Sequence, residues 1–120
     1  MKNIEEINDL INNYIEGIFY GDVIKLKACF YKNTCIHGHI KGVNYVKTVT
    51  EYLESVKNRK SPKDVNEVFN MKIIGIDSTY KIAMVKVHMP MLGYNYYDYL
   101  SLFKRNDAWE IVNKVFIHVE

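Results

Sequence analysis

Residues 93–119 read GYNYYDYLSLFKRNDAWEIVNKVFIHV. Two runs rich in aromatic and β-branched residues flank the short segment Arg105, Asn106 and Asp107. Asn and Asp tolerate the left-handed backbone conformation that a tight turn requires. The stretch therefore predicts one long β-hairpin, and the rest of the chain is interpreted around it.

The two arms of this hairpin are interpreted by simple alternation, since successive side chains of a strand point to opposite faces. In the first arm, Asp98, Leu100 and Leu102 share the inner face. The outer face of that arm carries Tyr97, Tyr99, Ser101 and Phe103. In the second arm, alternation predicts an inner set of Trp109, Ile111, Asn113, Val115 and Ile117. The opposing set is Glu110, Val112, Lys114, Phe116 and His118. Both faces are largely apolar, which indicates a core on one side and a partner surface on the other.

Composition fits one domain: the chain has 120 residues, of which 48% are hydrophobic, enough for a substantial core. The net charge of +2 is too small to indicate a nucleic-acid partner. Cys29 and Cys35 form no Cys-x-x-Cys motif, as expected for a protein of a reducing compartment. Acidic residues near the N-terminus and the lack of a long apolar run predict a cytoplasmic protein with no membrane partner.

The N-terminal half is predicted to be mainly helical. Apolar residues at spacings of three and four predict a first helix from Ile4 that ends near Gly17 to Gly21, and a short second helix from Asp22 to about Phe30. Residues 34–40 alternate like a short strand. A turn at residues 41–42 then leads into a third helix, whose buried side is predicted to carry Tyr45, Val49, Tyr52, Leu53 and Val56.

Pro62 ends the third helix, because proline lacks a donor and restricts the residue before it. Residues 65–76 predict a long strand, residues 77–78 a turn, and residues 80–91 another strand. Helices gathered before a run of strands predict a single α+β domain spanning residues 1–120, in which three N-terminal helices pack on a curved, mostly antiparallel sheet.

These motifs resemble the nuclear transport factor 2-like superfamily, and within it the putative lumazine-binding family, a neighbour of the SnoaL-like polyketide cyclases. The resemblance rests on residues 14–17, Gly21, Asp22 and Phe30 early in the chain, and on residues 98–102 and 109–116 late in it. It implies a cone-shaped, cystatin-like fold, a cavity between the helices and the concave sheet face, and a homodimer formed through the outer face. It does not imply a reaction, because one fold hosts many activities.

Asp98 is the candidate functional residue that the pattern singles out, since a carboxylate on an apolar face is costly unless it is paired. One hypothesis makes Asp98 a general base or a ligand anchor with Asn113 as its partner. The alternative is structural: Asp98 is satisfied by Asn113, Tyr14 or a lysine and has no further role.

His37 and His39 share one side of the short strand, a spacing that metal sites use. No motif connects them to a third ligand such as Asp98, His88 or His118, so we predict neither a metal site nor a cofactor. A single pocket histidine, His37 or His39, is a candidate proton donor, and the alternative is that both are edge-strand histidines without a special role.

Three functions follow from these predictions. The first is a small-molecule-binding protein for an apolar or aromatic metabolite. Its predicted cavity residues are Tyr14, Phe30, His37, Asp98, Trp109 and Asn113. The second is a cofactor-free lyase, isomerase or cyclase with Asp98 as base and His37 or Tyr14 as acid. The third is a non-catalytic dimeric interaction or regulatory module. The predicted dimer contacts are Tyr97, Tyr99, Phe103, Val112 and Phe116.

Overall fold

The computed structural model describes residues 2–120 as three helices and six strands. The helices are α1 (Lys2–Tyr20), α2 (Val23–Lys27) and α3 (Val49–Asn58). The strands are β1 (Phe30–Ile40), β2 (Val43–Thr48), β3 (Lys72–Thr79), β4 (Ile82–Met91), β5 (Tyr94–Arg105) and β6 (Ala108–His118). None of the helices among these residues combines the length and apolarity that a membrane crossing requires.

All six strands form one sheet in the order β2-β1-β6-β5-β4-β3. Every neighbouring pair is antiparallel except β1 and β6, which run parallel. The apolar stripe of α1 is buried in the core, where it meets the inner face of the sheet; its fully buried members are Ile7, Ile11 and Tyr14. The predicted α+β class, with helices packed on a mostly antiparallel sheet, is therefore confirmed.

The C-terminal hairpin forms as the sequence predicts. Asn106 and Asp107 both adopt positive φ, 51° and 63°, at the turn between β5 and β6. Asp98 and Leu100 are buried on the inner face of β5, whereas Tyr99 is 51% exposed on the outer face.

The bounds of three predicted elements are wrong. Residues 43–48 form strand β2 rather than the start of the third helix, which begins at Val49 behind a capping box made by Thr48 and Glu51. The second helix ends at Lys27, and Phe30 begins β1. Residues 65–71 lie outside any strand, and β3 runs through the predicted turn at residues 77–78. In each case local apolar content was read as a single element although it spans a change of element.

A β-bulge in β6 changes which side chains of this strand face the core, so part of the predicted alternation is wrong. Ile111 pairs with Leu102 and Asn113 pairs with Ser101, so Val112 is the extra residue in this ladder. The Thr34 hydroxyl donates to the Ile111 carbonyl at 2.8 Å beside the bulge. Because of this one extra residue, the side chains that follow it in β6 point to the opposite faces from those that simple alternation predicts. Lys114 and Phe116 are consequently buried, while Val115 and Ile117 are about half exposed on the outer face.

Candidate functional site

Four polar side chains from four elements meet inside the protein. Tyr14 of α1 donates a hydrogen bond to Asp98 Oδ2 of β5 at 2.5 Å. Lys114 Nζ of β6 donates to the Tyr52 hydroxyl of α3 at 3.0 Å. The same ammonium lies 3.8 Å from Asp98 Oδ2, and the side chains of Lys114 and Asp98 are only 5% and 4% exposed. We call these four residues the buried quartet.

Burial and the neighbouring groups set the protonation states of Tyr14 and Lys114. Burial raises the pKa of Tyr14 well above its usual value, and the neighbouring charge of Asp98 raises it further, so Tyr14 keeps its proton. Burial lowers the pKa of Lys114, but Tyr52 and Asp98 outweigh that effect, and the pKa of Lys114 lies above its usual value. Lys114 is therefore a cation and Tyr14 a neutral donor at physiological pH.

Aromatic rings surround the ammonium group. Lys114 Nζ lies 4.3 Å from the ring centroid of Tyr52 and 5.2 Å from that of Tyr14. Phe30 packs edge-on against both tyrosines, with ring centroids 6.0 Å apart in each case. A buried cation gains from such ring faces, so aromatic packing and electrostatics act together at this point.

A cavity of about 190 Å³ opens beside the quartet, and Tyr52, Asp98 and Lys114 line it. Its apolar lining includes Ile18, Ile40, Met89, Met91 and Phe116. Lys47 and Arg59 supply two further charged side chains. The combination of an apolar wall with a few convergent polar groups is typical of small-molecule sites.

The outer face of the sheet carries two larger but more open hollows, of about 640 and 680 Å³. The first is lined by residues such as Met84 and Phe103, and the second by residues such as Tyr97 and Ile117. Neither hollow is lined by a buried charged side chain. The cavity beside the quartet is therefore the better candidate for a specific site.

The structure brings together only some of the predicted site residues. Asp98 and Tyr14 are in direct contact, and Phe30 packs against Tyr14. Trp109 is buried, at 7% exposed, but it is a core residue outside the cavity lining. Of the predicted cavity residues, Asp98 belongs to the lining, whereas Tyr14 and Phe30 lie outside it, with Tyr14 in contact with Asp98.

His37 and Asn113 do not belong to the site. His37 is exposed on β1, and it lines the outer hollow with its near neighbour His39. Asn113 lies beyond the bulge, so it cannot be the partner of Asp98 that alternation predicted. Neither residue can act with Asp98 in one cavity, because the sheet lies between them. Among residues 2–120, no group of three His, Cys, Asp or Glu side chains could hold a metal ion.

Lys114, Tyr52 and Arg59 are site residues that the sequence did not reveal. Tyr52 was predicted as a buried helix residue, and Lys114 was assigned to the outer face because the bulge was not foreseen. The sequence did contain one indication of a buried charge, because Lys114 lies between Val112 and Phe116 in a largely apolar strand. A lysine in such a run is as unusual as Asp98 in the facing strand.

Comparison with known proteins agrees with this architecture. The family model described as "Putative lumazine-binding" matches residues 2–117. No curated protein sequence matches the chain. The chain therefore belongs to the putative lumazine-binding family.

The fold is shared with solved structures of low sequence identity. An NTF2-like protein of unknown function from Methylobacillus flagellatus has a TM-score of 0.89 at 22% identity, over 100% of this chain and 94% of that one. An NTF-2 like protein of unknown function from Silicibacter pomeroyi has a TM-score of 0.84 at 20% identity, over 98% and 97%. A de novo designed protein with a curved β-sheet has a TM-score of 0.63 at 11% identity, over 96% of each chain. The chain thus has the nuclear transport factor 2-like fold.

Proposed function

We propose that this protein binds a small, single-ring metabolite in the cavity beside the buried quartet. The observation that carries the proposal is the placement of Asp98 and Lys114, two nearly inaccessible charges, in the wall of an otherwise apolar cavity. Burying charged groups costs free energy unless they are paired. Their position beside an open space supports a role in holding a ligand.

The size of the cavity limits its occupant. Its volume of about 190 Å³ is close to that of an engineered apolar cavity of roughly 150 Å³ that takes up benzene. Sites for drug-sized ligands occupy roughly 300–1,000 Å³. A bicyclic pteridine such as lumazine is larger than one ring, so the volume favours a smaller ligand than the family description names.

The contacts of Asp98 favour anchoring over catalysis. A general base needs a carboxylate that is free to reach a ligand proton. Here Asp98 Oδ2 already accepts a hydrogen bond from Tyr14 and faces the Lys114 ammonium. His37 lies on the opposite face, and Tyr14, the other proposed acid, already donates its hydroxyl proton to Asp98 rather than to a ligand. Proton transfer would need a free carboxylate and a second acid or base, whereas ligand binding needs neither, so we favour ligand binding.

Gly38 offers a test that leaves the quartet itself unchanged. A Cβ atom at this position would overlap with Cε1 and Cζ of Phe116, so the ring of Phe116 has to move. Because Phe116 lines the cavity, we expect Gly38→Ala to weaken the binding of single-ring compounds about tenfold. Saturation-transfer NMR against a panel of such compounds measures this effect.

Gly75→Ala is the matched control, since its Cβ would meet nothing within 4 Å. It is expected to bind the panel as the wild-type protein does. Thermal unfolding of both variants verifies that they are folded. Failure of the wild-type protein to bind any compound, or equal binding by Gly38→Ala, would contradict the proposed function.

We also propose that two copies of the chain pair through the outer sheet face. The support is a broad apolar surface with Tyr99, Val115 and Ile117 each about half exposed, at 51%, 47% and 45%. Tyr97, Phe103 and Val112 line the two hollows on this face. Phe116, also predicted in this contact, lines the second of these hollows, although it is only 9% exposed and its ring packs against Tyr45 and Tyr96. Exposed apolar patches of this kind mark interaction sites.

Sedimentation velocity tests the proposed dimer. The wild-type chain is expected to sediment as a dimer at micromolar concentration, and Val115→Glu to weaken the association about tenfold or more. Val68→Glu is the matched control, because Val68 is 85% exposed next to Phe69, whose ring packs on Phe19 of α1. A monomeric wild-type chain, or equal weakening by both variants, would refute this proposal.

A further inference from the structure

The charges around the cavity are unbalanced. Three cationic side chains line it, Lys47, Arg59 and Lys114, against the single carboxylate of Asp98. Asp98 is already matched by Lys114 at 3.8 Å. Within residues 2–120, neither Lys47 nor Arg59 forms a salt bridge with a carboxylate. Among residues 2–120, the cavity wall therefore carries two cationic side chains that form no salt bridge.

Lys114 also has N–H donors that form no hydrogen bond with residues 2–120. An ammonium group has three N–H donors. In the part of the chain that the structure describes, one of them is used by the Tyr52 hydroxyl at 3.0 Å. The distance of 3.8 Å to Asp98 exceeds the range of a hydrogen bond. The remaining N–H donors of this buried ammonium group are free to bind an acceptor that enters the cavity.

Arg59 adds a second positive charge to the cavity wall close to Lys114. It lies just beyond α3, half-buried, and its guanidinium presents a planar fork of donors suited to carboxylates. Its positive charge opposes the protonated state of Lys114. An anion bound between the two groups would remove this repulsion and accept hydrogen bonds from both.

We propose that the ligand of this cavity is a single-ring compound bearing a carboxylate, with the carboxylate held by Lys114 and Arg59. This inference rests on the proposed function and specifies its ligand class. The apolar body of the ligand packs against Met89, Met91 and Phe116 of the lining. Lys47, whose ammonium lies 4.8 Å from the ring centroid of Tyr45, adds positive potential to the wall without being assigned a direct contact.

A matched pair of probes tests the inference. Benzoate and benzamide have nearly the same shape, but only benzoate is an anion. Titration calorimetry at low ionic strength is expected to show benzoate binding about tenfold more tightly or better, since hydrogen bonds to charged groups are the stronger ones. The preference is expected to shrink as salt is added.

Arg59→Gln identifies the groups responsible. This variant is expected to reduce the benzoate preference at least threefold, roughly what losing one charged contact at a partly exposed site costs. Lys57→Gln is the control, because it removes the same charge from an exposed position of α3 outside the cavity. It is expected to leave the preference unchanged.

The outcomes separate this inference from the proposed function. If neither probe binds, the proposed small-molecule cavity fails and the inference fails with it. If both probes bind with equal affinity, the cavity stands and the carboxylate preference is overturned. A preference that is the same in Arg59→Gln as in the wild-type protein also overturns the assignment of the carboxylate to Lys114 and Arg59.

Discussion

Replacing Lys114 with methionine is expected to lower the free energy of unfolding by about 3–5 kcal/mol, because it removes the cation from a buried ion pair. Asp98 would keep its hydrogen bond from Tyr14 but would lose the only ammonium group that forms a salt bridge with it among residues 2–120. Methionine fills a similar volume, so the loss reports electrostatics rather than a cavity. Urea denaturation followed by circular dichroism gives the free energy.

The double variant Asp98→Asn with Lys114→Met isolates this pairing. Removing both charges together is expected to restore most of the stability, since no charge is then left buried alone. Lys72→Met serves as control, because Lys72 is an exposed strand residue of β3, and its effect is expected within about 0.5 kcal/mol. A double variant that is less stable than Lys114→Met alone would show that the two charges do not stabilise each other.

The second large effect is expected for Tyr14→Phe. This change removes the hydroxyl that donates to Asp98 at 2.5 Å while leaving the fully buried ring in place. Hydrogen bonds to charged groups contribute roughly 1.5–3 kcal/mol, and we expect a loss of stability in that range. Chemical denaturation again measures the loss.

Tyr96→Phe is the matched control for Tyr14→Phe. Tyr96 also lines the cavity, but its hydroxyl donates no hydrogen bond to any residue in the range 2–120. Its replacement is expected to change the free energy of unfolding by less than about 0.5 kcal/mol. Similar losses in the two variants would mean that the Tyr14–Asp98 hydrogen bond contributes nothing specific.

The hairpin was predictable because its signals are local. Alternation over residues 97–103 and two turn residues that tolerate positive φ suffice to place β5 and its inner face. Asp98 was identified for the same reason, as the one carboxylate among inward-facing apolar residues. The possibility that Tyr14 or a lysine satisfies it was also open from the sequence, and the structure supplies both.

What the sequence did not reveal depends on tertiary contacts. The bulge at Val112 is accompanied by a hydrogen bond from Thr34 to the Ile111 carbonyl, two residues 77 positions apart along the chain. No local pattern in β6 predicts it. That one residue moves Lys114 and Phe116 inward and Asn113 outward. The sequence did not predict strand β2 for a related reason. Its two faces can be assigned only when its pairing with β1 is known. Long-range pairing, rather than local propensity, decided these positions.

Methionine methyl groups provide the most direct measurement of the central claim. Met89 and Met91 line the cavity, Met71 lies in the core outside it, and Met84 is 58% exposed on the outer face. In protein labelled with ¹³C at the methionine methyls, titration with benzoate is predicted to shift the signals of Met89 and Met91 while those of Met71 and Met84 stay in place. A shift confined to Met84, or no shift at Met89 and Met91 at saturating benzoate, would contradict a ligand cavity beside Asp98 and Lys114.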